Sequence, residues 1–199
     1  MIEPPKLNEE GSTKKFMEYK ELLEAQLREC YGRVVYSHKT HEKCADILLD
    51  KNSKFKMWQL ILSGLTTGSF LVTVFGDGKI SALIGAVISA ILLVLNSYTK
   101  DFELVEIAEK HKQAASSLWD IRESYLSLLT DMPFLSIEEI TNKRDQLQDQ
   151  LRDTYEGSPR TNFKAYKSAQ NALKNNEELT FSEEEIDLLL PAKLRKNKP

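Results

Sequence analysis

The sequence is poor in the residues that most enzymes use. It has three histidines and two cysteines in 199 residues, and none stands in a recognisable catalytic spacing. No glycine-rich phosphate loop, G-x-S-x-G or H-E-x-x-H occurs. That argues against an enzyme and gives no cofactor to expect. A charge excess is also missing: 27 Lys and Arg against 30 Asp and Glu leave a net charge of −3, which gives no sign of a nucleic-acid-binding surface. Strand-like alternation, internal repeats and low-complexity stretches are absent too. The chain reads as all-α.

Charge itself is absent from two stretches, and they organise the rest. Met57 to Phe75 and Ile80 to Tyr98 are each nineteen residues without a charged side chain. At about 1.5 Å rise per residue each is roughly 28 Å long, close to the ~30 Å hydrocarbon core of a bilayer. Gly76-Asp77-Gly78-Lys79 between them is a turn. A pair of buried helices in a soluble core is the alternative, but a soluble helix rarely runs so far with no charge on any face. The expectation is a two-span transmembrane hairpin. Lys43, Lys51, Lys54 and Lys56 precede it and Lys100, Lys110 and Lys112 follow it, against Lys79 alone in the turn. This bias puts both termini in the cytoplasm. The first residues lack the basic and apolar regions of a cleavable signal, so span one is expected to act as its own insertion signal. Cys30 and Cys44 then lie on the cytoplasmic side, where disulfides are uncommon.

The flanks follow from helical patterning. A loose leader is expected over 1–12 and a cytoplasmic helix over 13–56. The hairpin occupies 57–98, with spans at 57–75 and 80–98 around the turn 76–79. A second cytoplasmic helix covers 99–132, a C-terminal helical segment 133–191, and a basic tail 192–199. Leu23, Leu27, Cys30, Val34, Ser37, His41, Cys44 and Leu48 form a seam with alternating spacings of four and three. Leu104, Ile107, His111, Ala114, Leu118, Ile121, Tyr125, Leu128 and Met132 repeat the pattern beyond span two, until Pro133. Two such helices leaving the bilayer on one side should pack as an antiparallel stalk. The stretch at Asp50-Lys51-Asn52-Ser53 is a candidate kink. Ser136 with Glu139, and Ser182 with Glu185, each spell a capping box. Ser158-Pro159 reads as the start of a further helix carrying Phe163, Tyr166, Ala169, Gln170 and Leu173 on one face.

Candidate sites are few. His38, His41 and Cys44 form an H-x-x-H-x-x-C run. On one helix, i and i+6 diverge by about 120°, so a metal would need His41, Cys44 and help from another helix, with His111 the obvious source. The reading favoured by geometry is a hydrogen-bonded polar layer of His41, Cys44 and His111, with no metal. Cys44 lies thirteen residues before span one and His111 thirteen after span two, which sets them at equal height in an antiparallel stalk. In span two, Ser81, Gly85, Ser89 and Asn96 share an arc of about 80°. Leu83, Val87 and Ile91 fill the other side. Span one carries Gly64 and Gly68 in a G-x-x-x-G, with Ser63, Thr66, Thr67 and Thr73 nearby. Two uses stay open for these small and polar faces: holding the hairpin together, with Gly64 and Gly68 against Gly85, or lining a water path between copies. No ionisable side chain lies inside the spans, against a proton-coupled pump or a voltage sensor. Arg160, beside the expected helix start, is the candidate anion-binding residue; an ordinary surface arginine is the alternative.

Several stretches also share a family character. They are Tyr36-Ser37-His38-Lys39-Thr40-His41-Glu42-Lys43-Cys44-Ala45-Asp46, Leu62-Ser63-Gly64-Leu65-Thr66-Thr67-Gly68 and Ile121-Arg122-Glu123-Ser124-Tyr125. Pro159-Arg160-Thr161 and the closing Leu179-Thr180-Phe181-Ser182 with Leu190-Pro191 follow in the same order. From about residue 15 to 195 the chain resembles the SLATT family, the SMODS- and SLOG-associating two-transmembrane effectors of bacteria. The resemblance implies an inner-membrane effector of a conflict or antiphage system. A partner enzyme would make a nucleotide second messenger; the effector would form a homo-oligomer and breach the membrane, killing or arresting the infected cell. No fused nucleotidyltransferase or SLOG-type domain is evident, so the signal is expected from a separate synthase. The alternative is a membrane-anchored scaffold that recruits cytoplasmic partners without forming a pore.

Overall fold

One helix runs from the water phase through the membrane. In the computed structural model, which describes residues 9–75, 78–101 and 103–196, α1 extends unbroken over Glu9–Phe75. Its 67 residues make a rod about 100 Å long. No proline interrupts it, and the stretch expected as a kink stays helical. There Lys54 pairs with Asp50 at 2.8 Å one turn away. Lys51 donates to the Tyr98 hydroxyl at 3.0 Å and lies over the Phe55 and Tyr98 rings. These contacts tie the helix surface down at the membrane boundary. The helix also begins inside the segment expected as a loose leader; residues 1–8 lie outside the described residues, as do Gly76 and Asp77 of the turn.

Span two is α2, Lys79–Asp101, and it returns to the same end as α1. Here the second arm differs from the first. A break separates α2 from α3 (Leu104–Asp131), and Glu103 stands in the left-handed region at φ 34°. A 3₁₀ turn at Met132–Phe134, with Pro133 inside it, ends α3. Ser136 and Glu139 then form the reciprocal capping box that opens α4 (Ile137–Glu156). The next helix, α5, is Phe163–Lys174 and starts later than Ser158-Pro159 suggests. The Ser158 hydroxyl donates back to the Thr154 carbonyl and so closes α4. The Asn162 side chain accepts from the Ala165 N–H at 2.9 Å and is the true cap. A second capping box, Ser182 with Glu185, opens the short α6 (Glu183–Leu189). Among the described residues every regular element is helical.

The stalk core follows the two expected seams at its far end. Leu23, Leu27, Cys30 and Val34 of α1 meet Leu118, Ile121, Tyr125 and Leu128 of α3, with Ile140 and Leu147 of α4 closing the third side. Nearer the membrane the α1 seam widens. His38, Lys39, Thr40 and His41 are all buried, because α3 covers one side of α1 and α5 another. His38 takes the inward place expected for Ser37, whose hydroxyl bonds that of Tyr155 at 2.7 Å. Helix α5 turns its alanines inward rather than its aromatic residues: Ala165, Ala169 and Ala172 are buried, while Phe163 is 70% exposed. Small side chains let the helix lie close against α1. Glu178, beyond α5, pairs with Lys39 and Lys43 of α1. The basic tail folds back in part, with Lys196 bonded to Asp187 and Glu183; 197–199 lie outside the described residues.

Leu118 is fully buried between α1 and α3, whereas Leu126, on the same helix, is 42% exposed. Leu118→Ala should therefore cost about 2–5 kcal/mol in denaturant unfolding of the full chain in detergent micelles, and Leu126→Ala about 0.5 kcal/mol or less.

Candidate functional site

The hairpin packs along one narrow line. Gln59, Leu62, Thr66, Ser69 and Thr73 of α1 and Ser81, Gly85, Ile88, Leu92 and Leu95 of α2 are its half-covered positions, again spaced by three and four. The helices approach closely at Gly85, where an added Cβ would stand 3.1 Å from the Ser69 Cβ. At the stalk end, Gln59 Nε2 donates to Thr99 Oγ1 at 3.0 Å, and Phe55 meets Tyr98 edge-on at 5.4 Å. The rest of the surface is apolar and open, with Leu60, Ile80 and Val94 each at least 70% exposed. Two helices are thus long and apolar enough to cross a membrane, and their apolar windows are not buried inside the protein as a soluble core helix would be.

The small and polar residues of the spans divide between this line and the outside. Ser81, Gly85, Thr66 and Thr73 lie on it. Ser63, Gly64, Thr67, Gly68, Ser89 and Asn96 are exposed. The approach expected between Gly64, Gly68 and Gly85 does not occur: nothing lies within 4 Å of where a Cβ would sit on either span-one glycine. At 100° per residue Gly64 falls opposite the packed line, and Ser69 takes the place beside Gly85. Most hydroxyls answer their own helix. Thr66, Thr67, Ser69 and Thr73 each donate to the carbonyl four residues back, at 2.9–3.0 Å. Ser63, Ser89 and Asn96 make no side-chain hydrogen bond among the described residues.

Above the membrane, His41 and His111 meet across the stalk with Nδ1 atoms 3.0 Å apart and rings 5.0 Å between centroids. With both rings neutral, one Nδ1–H donates to the other lone pair. Cys44, fully buried, takes a different partner: Asn162 Nδ2 donates to its sulfur at 3.7 Å. His38 bonds the Ala115 carbonyl through Nδ1 at 2.9 Å, and its Nε2 lies 3.6 Å from Glu42. Among the described residues no group of three His, Cys, Asp or Glu side chains is arranged to hold a metal ion. Burial, reinforced by His111 and His38, pushes the His41 pKa down to about 4, and burial lowers that of His111 as well. Burial also pushes the Cys44 thiol up, which keeps it protonated and inert.

Two groups were not singled out by sequence. Lys39 is buried yet charged, satisfied by Glu42 and Glu178; Glu42, three residues on, was the available signal, while Glu178 lies far off in sequence. Arg122 lies in the stalk with its guanidinium 4.5 Å from the Trp119 ring; the i, i+3 spacing along α3 was the available signal. Arg160 is exposed in the 157–162 loop rather than beside a free helix start.

Two back-to-back apolar helices, exposed around their circumference and continued into a polar-layered stalk, define a two-span membrane protein. Residues 23–185 match the SMODS and SLOG-associating 2TM effector domain family 4, and the chain belongs to that family. It is therefore a two-transmembrane effector domain of the kind found in conflict and antiphage systems. The match takes in the stalk, the hairpin and α4 and α5. No curated protein and no solved structure matches the chain.

The histidine pair has a pH signature. An unfolded histidine titrates near 6.5 and the folded His41 near 4. The folded state thus binds fewer protons between these values, so stability is complete above about pH 6.5 and falls as pH drops toward 4. Between pH 7.5 and 4.5 His41 should contribute a loss on the order of 2 kcal/mol, and His41→Asn should flatten that part of the stability–pH curve relative to wild type.

Proposed function

We propose that the protein is a bacterial inner-membrane effector, both termini cytoplasmic, that assembles into an oligomer and permeabilises the membrane on a signal from a partner enzyme. One observation carries this reading: the hairpin leaves its small and polar surfaces open on two different faces. On α1, Gly64 and Gly68 point away from α2 with no neighbour within 4 Å. On α2, Ser89 and Asn96 are exposed and without a hydrogen-bond partner among the described residues. A G-x-x-x-G face lets a second helix approach closely, and an amide in hydrocarbon gains from any polar partner. Ser89 lies nine residues in from Tyr98, between the levels of Gly64 and Gly68, seven and eleven residues in from Met57. A contact from the α1 face of one copy to the α2 face of the next uses unlike surfaces, and such contacts generate rings when the rotation between copies closes. Asn96, near the cytoplasmic mouth, would then rim a water path.

The association with SMODS and SLOG in the family's description supports a nucleotide messenger, or the enzyme that makes it, as the trigger. The lysine bias around the spans supports the orientation. A membrane-anchored scaffold is the competing reading, and it stands if the wild-type protein, expressed with its partner enzyme, releases neither ions nor dye. In the effector reading, Gly68→Leu and Asn96→Leu reduce dye release at least about fivefold while membrane insertion is kept, and Val87→Leu, on the bulky arc, changes little. Wild-type leakage from both of the first two variants rejects the assignment of these faces.

A further inference from the structure

A cleft of about 430 Å³ opens beside the stalk, between α1, the end of α4 and the loop that leads into α5. Its chemistry is unlike that of the neighbouring cleft on the other side of α1. There, Lys39 and Lys112 share the lining with Glu42 and Asp46, so cations and carboxylates offset one another. Here the described lining contains a cation, Arg160, and no carboxylate. The Arg160 guanidinium has no ion-pair or hydrogen-bond partner among the described residues. Three tyrosines line the same space. Tyr36 and Tyr166 lie with ring centroids 6.1 Å apart and planes inclined by 29°, a broad aromatic surface. Tyr155 is fixed by its bond to Ser37, and Thr161 adds a hydroxyl. At the start of α5, Asn162 already occupies the Ala165 N–H. The guanidinium is the anion-binding group.

A cation five donors wide, a flat aromatic surface and a set of hydroxyls in one cleft, with no negative charge to repel, match a ligand that joins a phosphate to a planar base. We propose that this cleft binds a nucleotide, with the phosphate on Arg160 and the base against Tyr36 and Tyr166. The inference rests on the reading that a diffusible signal triggers the effector, and it names the place where that signal is received. A lipid headgroup is not the source of the phosphate. Thr40, in the cleft lining, stands seventeen residues before Met57, about 25 Å along α1 from the start of the span. The position also suits a trigger. One wall of the cleft is α1 itself, which continues without a break into span one. His41 belongs both to the lining and to the hydrogen bond with His111 that joins α1 to α3. An occupant therefore touches the contact between the two arms of the stalk.

The test is calorimetric titration of the full chain in lipid nanodiscs with the four 5′-ribonucleotides, 3′,5′-cyclic AMP, inorganic phosphate and adenosine. At least one nucleotide should bind tenfold or more tightly than inorganic phosphate and adenosine, each of which offers half of the chemistry. Arg160→Ala and Tyr166→Ala should each weaken that binding at least about tenfold, and Tyr166→Phe should keep it. Both residues are exposed, and circular dichroism of the variants checks that the stalk is intact. Binding of no nucleotide, binding indifferent to both alanine variants, or phosphate binding as tightly as the nucleotides overturns the proposal. Dye release is read separately. Binding without leakage removes the pore and leaves the site, and leakage without binding removes the site and leaves the pore.

Discussion

The architecture depends on α1 staying helical across the boundary between water and lipid. Inside the hydrocarbon its backbone groups have no water to bond, so the i to i−4 ladder must be complete there. In the stalk the same ladder is held by packing on several sides. The helix is one element over 67 residues, and α2, α3, α4 and α5 all pack against it. Lys51, Phe55 and Tyr98 secure the crossing point, where a polar stretch would otherwise be free to bend. The second arm is different. Glu103, at φ 34°, marks a break between α2 and α3, whereas α1 crosses the same level as one continuous helix.

Polar groups in the spans are accounted for almost entirely within the chain. Four hydroxyls of span one return to their own carbonyls, and Gln59 finds Thr99. What remains is a short set on the outside: Ser63, Ser89, Asn96 and Ser97, beside two glycines with empty space above them. A hairpin built only to anchor a stalk would gain nothing from these residues in hydrocarbon. In the proposed assembly they would meet another protein surface or water. Of the stalk's buried polar groups, His38, Lys39 and the His41–His111 pair have partners inside the chain, while Tyr125 Oη and Arg122 Nε have no hydrogen-bond partner among the described residues.

Much of this was legible in the sequence, for identifiable reasons. Nineteen uncharged residues twice over can be read without knowing any neighbour, and so can capping boxes, whose partners are three residues apart. The two seams were readable at the far end of the stalk, where each helix has one principal partner. They failed at Ser37, because α1 there is covered on two sides and the inward direction is no longer that of a single stripe. Gly64 and Gly68 were expected to face Gly85 because a helical wheel ranks arcs by size and cannot say which arc meets the other span. In three dimensions Ser69 is small enough to fill that role. The start of α5 was misplaced for a similar reason. Ser158 and Asn162 both look like caps, and Ser158 is already committed to closing α4. Arg160 was legible as an anion-binding candidate, but its cleft was not, because the lining comes from α1, α4, the loop and α5, more than a hundred residues apart in sequence.

The central claim is that the open faces of α1 and α2 meet between copies, and cysteine cross-linking in native membranes tests it most directly. The two existing cysteines are buried in the stalk and do not interfere. A chain carrying both Gly68→Cys and Ser89→Cys should give, on mild oxidation, a ladder of cross-linked species that ends at one size, as a closed ring requires. The single variants should give little, and Val87→Cys on the bulky arc should give none. Cross-linking as strong at Val87→Cys as in the double variant, or no product from the double variant in membranes that leak, would contradict the account.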